Sequence, residues 1–174
     1  MNRQYSIPDL EKIAEIVIKE FGCGDDVDVI QLANQLGFEV YQTDFADDIA
    51  GKVERNSTNS RIFVNRSDIP ARKRFTVAHE IGHIILHNDI SKDIDFVDYR
   101  NNGKYDQREF EADNFAAALL MPREKSKKVW NEYHDIDDFA VVMGVSKRAA
   151  AIRLSNLGLI SWMIIYKNYK KKYN

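Results

Sequence analysis

Apolar positions recur at helical spacing in some stretches of this chain and alternate in others. Between Ile7 and Phe21 they fall at 10, 13, 14, 17, 18 and 21, one face of a helix that closes at Gly22 and Gly24. Val29 to Leu36 repeats the pattern more briefly and stops at Gly37, after which "FEVYQTDF" alternates as a strand does. "IAGKVER" and "SRIFVNR" flank the polar cluster "NSTNS" and predict a β-hairpin, so a small antiparallel sheet is expected. Ser67 and Asp68 are placed to cap a helix whose first turn accepts Pro70 and whose pattern runs to about His87. Asn88 to Asp106 is polar and irregular and predicts a loop; a further helix follows from Gln107 to Met121, ended by Pro122. Two short helices, about 136–143 and 147–157, are joined by "GVS" with Ser146 as cap and closed by Gly158, a helix-turn-helix-like pair. "LISWMIIYKNYKKKYN" can begin as a strand. The expected architecture is α+β and mostly helical, with one domain over residues 1–160 and a basic C-terminal tail over 161–174.

Composition narrows the class without changing that picture. The 174 residues are enough for one sizeable core, and 44% hydrophobic with 30% charged residues is the balance of an ordinary soluble domain. No apolar run approaches the roughly 20 residues that span a bilayer, and "MNRQYSIPDLEK" lacks the apolar core of a secretory signal, so a cytoplasmic location without membrane partners is the default expectation. The single cysteine, Cys23, forms no internal disulfide and reads as a small packing residue near a helix end. Charge is uneven. From Phe139 onward there is no Asp or Glu, and Lys147, Arg148, Arg153, Lys167, Lys170, Lys171 and Lys172 give +7; the remainder, with 18 basic and 27 acidic residues, carries −9. Such a tail either faces a polyanion or is simply solvated.

The candidate chemistry sits on the helix "FTVAHEIGHIILHN". On a wheel of about 100° per residue, Thr76, His79, Glu80, His83 and His87 share one sector about 100° wide, and apolar residues cover most of the rest. An apolar helix with one polar stripe is a buried helix lining a site, and a metal ion satisfies several such groups at once. His79 and His83, one turn apart, can both reach one Zn²⁺ through imidazole nitrogens, with Glu80 beside them to take a proton from water. Manganese and iron also accept such ligand sets. His87 lies about 6 Å further along the axis and reads as a supporting histidine rather than a ligand. His134, in "NEYHDIDD", reads as a surface residue.

A third ligand must come from elsewhere, because Leu86 and Asp89 stand where an extended histidine motif would place glycine and histidine. "REFEADNFAAALLMP" offers Glu109 and Glu111. Measured from the centre of that helix's apolar face, Glu109 lies about 50° away and Glu111 about 110°, which favours Glu109 and leaves Glu111 as the alternative. Asp113 either accepts the spare N–H of a ligating histidine or is an ordinary surface carboxylate. Tyr99 and Tyr105 are candidates to stabilise an oxyanion.

"RFTVAHEIGHIILH", "EFEADNFAAALLMP" and "FAVVMGVSKRAAAIRLSNLGLI", in that order, resemble the ImmA/IrrE family of zinc metallopeptidases over about residues 10 to 160. The resemblance implies a zincin-like domain with His79, His83 and Glu109 as zinc ligands and Glu80 as general base. It also implies a protein substrate: a helix-turn-helix repressor encoded nearby, often in a prophage, mobile element or stress-response locus. "YKNYKKKYN" lies outside the pattern.

Three functions compete on these grounds. The first is a zinc endopeptidase that cuts such a repressor. The second is a non-catalytic regulator that binds the repressor and frees it from DNA. The third is a DNA-binding module using Lys147, Arg148 and Arg153 on the helix pair, against which "AAAIRL" offers few groups to read bases.

Overall fold

The computed structural model describes residues 4–46, 48–56, 58–87, 94–99 and 106–161. Their contacts group the chain into two compact units, Met1–Leu120 and Met121–Asn174, so the single domain expected over 1–160 spans both.

The first unit begins with α1 (Ile7–Glu20). Ser6 and Asp9 form a reciprocal capping box at its start, satisfying two backbone donors that the first turn leaves open. Helix α2 (Val29–Gln35) is capped by Asp28, whose Oδ1 accepts from the amides of Ile30 and Gln31. Strands β1 (Glu39–Thr43), β2 (Ile49–Arg55) and β3 (Ser60–Asn65) lie where the alternation predicts them. Helix α3 (Pro70–His87) follows, then β4 (Ile94–Tyr99) and α4 (Gln107–Leu120).

The sheet has the order β1-β3-β2-β4 and is mixed rather than purely antiparallel. The β2–β3 hairpin is antiparallel with Val53 opposite Ile62, whereas β1 runs parallel to β3 with Val40 opposite Ile62. Alternation in "FEVYQTDF" identifies a strand but not its partner. β3 sits between β1 and β2, which run in opposite directions, whereas the edge strands β1 and β4 run the same way.

The second departure is β4, which lies within the segment expected to be a loop. Its sequence, "IDFVDY", carries two aspartates and little alternation. Backbone pairing with the open edge of β2, Lys52 opposite Val97, makes it a strand, and Lys52 also pairs with Asp95 at 3.2 Å. The start of α3 differs as well. Ile69, not Ser67 or Asp68, precedes the helix and its carbonyl accepts from Arg72 and Lys73, while the Ser67 hydroxyl donates to Asn65 Oδ1.

Helix α3 packs on β2 and β3 on one side and on α4 on another, and α4 packs in turn on α1. Leu10, Leu32, Phe38, Ile62, Ile81, Phe115 and Leu119 are buried in this unit. Each large apolar side chain so buried contributes about 1.5–3 kcal/mol. One close approach sets the geometry of the site. A Cβ at Gly82 would stand 3.2 Å from Ala112 Cα and 3.2 Å from the Phe115 ring, so the missing side chain lets α3 and α4 meet nearly backbone to backbone.

The second unit holds α5 (Arg123–Tyr133), α6 (Ile136–Met143) and α7 (Lys147–Asn156). The last two match the expected pair, with Gly144 in the left-handed conformation and Ser146 capping α7. Helix α5 was not expected. Its sequence, "REKSKKVWNEY", buries only Ser126 and Val129, too few apolar positions to leave a helical period.

Candidate metal centre

His79, Glu80 and His83 lie on the middle turns of α3, all buried, with Glu80 fully so. Glu109 comes from the first turn of α4 across the Gly82–Ala112 contact. His79 Nε2 and His83 Nε2 are 2.9 Å apart; Glu109 places Oε2 3.3 Å from His79 Nε2 and Oε1 3.4 Å from His83 Nε2. These three residues are the group among the described residues whose donor atoms converge as a metal site requires. Two ligands held at about 2.0–2.1 Å in a tetrahedral zinc site stand about 3.3 Å from each other, so the spacing and the two-imidazole, one-carboxylate donor set fit a zinc ion.

Glu80 is held against the sheet. Its oxygens are shielded from solvent, and a Cβ at Gly51 of β2 would overlap Oε1 and stand 2.8 Å from Thr76 Cγ2. A glycine inside a strand marks such a close approach, and that signal was present in "IAGKVER". The Gly51 role nonetheless became visible only once β2 and α3 were in contact.

Asp113, one turn beyond Glu109, lies with Oδ1 3.0 Å from His79 Nδ1, in position to fix that ring. His87 sits between His83 and Glu111, 3.0 Å from the first and 2.9 Å from the second. The wheel set Glu111 away from the apolar face, yet it is 1% exposed. The reason is that α4 is covered by α1 as well as by α3, so its buried surface is wider than one face. Ala118, off the main stripe and on the same side as Glu111, was the sign of it.

The other sequence candidates fall outside the cluster. His134 is exposed and ends α5 in the left-handed conformation. Cys23 is half-buried beyond the end of α1. The Tyr99 side chain, Tyr105 and the tail from 162 onward lie outside the described residues, as does the strand expected at its start. Arg153, considered for phosphate contact, is instead buried and donates its Nε–H to the Met121 carbonyl at 2.9 Å; burial lowers its pKa to about 10. Lys147 pairs with Asp137 at 2.6 Å.

Electrostatics within the cluster define where a proton sits in the metal-free protein. Burial opposes charge on His79, but hydrogen bonds to Asp113 and Glu109 and the nearby Glu80 charge outweigh it and raise its pKa well above the ordinary histidine value. Burial lowers the pKa of His83 despite the Glu109 contact, and the His79 charge adds to that. Burial raises the Glu109 pKa, yet the hydrogen bonds to both histidines prevail and hold it well below the usual carboxylate range. Near neutral pH, His79 therefore carries a proton on the nitrogen a metal would use. Metal loading is expected to release about one proton, and affinity to fall as pH drops below the raised His79 value. Titration calorimetry in two buffers of different ionisation enthalpy measures this; identical heats would contradict it.

A helix carrying His79, Glu80 and His83 against a small mixed sheet, joined by Glu109 from a second helix, gives a mostly helical α+β, zincin-like domain. The chain belongs to the family of IrrE N-terminal-like domains (Peptidase_M78), whose model matches residues 33–155. It is 28% identical over 123 residues to "Uncharacterized immunity region protein 2" of Bacillus phage phi105, covering 71% of this chain and 77% of that protein. Among solved structures it resembles a Mycobacterium tuberculosis transcriptional regulator with a TM-score of 0.61 and 23% identity, a likeness of fold. That match covers 85% of this chain and 46% of the regulator, so the chain spans about half its length. No helix among the described residues is long and apolar enough to cross a membrane.

Proposed function

We propose that this chain is a zinc-dependent endopeptidase of the cytoplasm that cuts a regulatory protein, a helix-turn-helix repressor of a prophage, mobile element or stress locus. The observation that carries the catalytic part is the convergence of His79, His83 and Glu109 with Glu80 buried beside them. The repressor assignment draws on the family resemblance, and the phage immunity-region relative supports it.

In this reading His79 and His83 hold zinc through Nε2 and Glu109 through its carboxylate. A zinc ion there would supply Lewis acidity toward a scissile carbonyl and a more nucleophilic water near neutral pH. Glu80 takes the proton of the attacking water on its carboxylate and delivers it to the leaving amine nitrogen, so one carboxylate serves first as base and then as acid. Asp113 accepts the Nδ1–H of His79 and keeps its Nε2 directed at the ion. Gly51 and Thr76 confine the Glu80 side chain to one position. No covalent intermediate with the protein is required.

The test is incubation of the purified protein with the helix-turn-helix protein encoded beside it, with and without chelator. A discrete fragment that forms only without chelator is expected. Relief of repression with the partner intact would instead establish the non-catalytic binding role.

A further inference from the structure

A line of polar contacts runs from the centre to the start of α1. His83 Nδ1 stands 3.0 Å from His87 Nδ1, and His87 Nε2 stands 2.9 Å from Glu111 Oε2. Glu111 Oε1 accepts the backbone N–H of Tyr5 at 2.8 Å and the amide of Gln107 at 2.9 Å. The side chains of His83, His87 and Glu111 are 3%, 6% and 2% exposed, so water does not substitute for these partners.

Hydrogen accounting along this line has one solution for neutral imidazoles. A carboxylate only accepts, so His87 carries its hydrogen on Nε2 and offers a lone pair at Nδ1. That lone pair accepts the Nδ1–H of His83, which leaves His83 Nε2 with its lone pair facing His79 Nε2 at 2.9 Å, the side on which a metal would be held. The opposite His87 tautomer would set a lone pair against the Glu111 carboxylate. The pattern is that of an outer partner orienting a metal-ligating histidine, extended by one further link to the backbone of the N-terminal segment.

We propose that His87 and Glu111 are positioning residues that fix His83 for the metal and couple metal occupancy to docking of the N-terminal segment through the Tyr5 amide. The inference rests on the metal-site reading above. Because coupling between two sites is reciprocal, whatever docking of Tyr5 adds to metal affinity, metal must add to the docking of Tyr5. A helix-pinning contact with no such role would lower stability equally with and without metal.

The experiment uses the full chain and two readouts independent of turnover: zinc affinity by chelator competition, and hydrogen exchange of the Tyr5 amide by NMR with and without zinc. His87→Leu is expected to weaken zinc binding about 10–100-fold, the usual effect of losing an outer partner. His87→Asn, whose Oδ1 can still accept from His83, recovers part of that loss. Zinc slows Tyr5 exchange in the unaltered protein and does so less in His87→Leu. Tyr5→Pro removes the amide hydrogen along with the ring, and Tyr5→Ala, which keeps the amide, controls for the lost ring; Tyr5→Pro touches no histidine and is expected to lower zinc affinity beyond Tyr5→Ala, which keeps the test decisive if His87→Leu fails to fold. Unaltered protein that binds zinc, with variants matching it within about 3-fold and Tyr5 exchange indifferent to zinc, would overturn the coupling and leave the ligand assignment standing. Unaltered protein that binds no zinc would overturn both.

Discussion

Replacing Glu80 by Gln is expected to leave one zinc ion per chain and to cut turnover of the protein substrate about 10²–10⁴-fold, the contribution of a positioned acid–base group. Glutamine fills the same space beside Gly51 and Thr76, so the fold and the convergence of His79, His83 and Glu109 survive. What it lacks is a carboxylate to take the proton of the attacking water. Metal content by mass spectrometry and single-turnover cleavage separate the two effects. Full-speed cleavage by Glu80→Gln would remove Glu80 from the mechanism; loss of metal along with activity would recast it as a ligand.

Glu109→Ala should have the larger effect on metal. Loss of an outer partner costs about 10–100-fold in affinity, and removal of a ligand should exceed that range. A second readout follows from the charge balance. Glu109 is among the groups that raise the pKa of His79, so in the metal-free variant His79 titrates lower than in the unaltered protein. NMR titration of the imidazole follows this directly. Zinc affinity unchanged by Glu109→Ala would transfer the third position to another carboxylate, with Glu111 the first to examine.

The helix that carries the histidines was legible because a polar stripe on an apolar helix has few structural explanations, and the 79, 80, 83 spacing fixes which groups share a face. Glu109 was legible for the same reason on a second wheel. Its neighbour Glu111 was misplaced because a wheel assumes one buried face, while α4 is sandwiched between α1 and α3. The hairpin declared itself through alternation and turn residues. Strand β4 did not, since pairing to the free edge of β2 gives it a structure that its two aspartates argue against. Gly51 and Gly82 illustrate a third limit: a sequence marks a glycine as unusual inside a strand or helix, but only packing shows what approaches it. Here one glycine seats Glu80 and the other draws α4 close enough to bring in Glu109.

The account turns on a single metal ion held by two histidines and a carboxylate from separate helices. Crystals grown with zinc and measured above and below the zinc absorption edge test it most directly. One anomalous peak per chain is predicted, within about 2.0–2.2 Å of His79 Nε2, His83 Nε2 and a Glu109 oxygen, with Glu80 outside the ligand set. A peak away from these three residues, or none in crystals soaked to saturation, would contradict it.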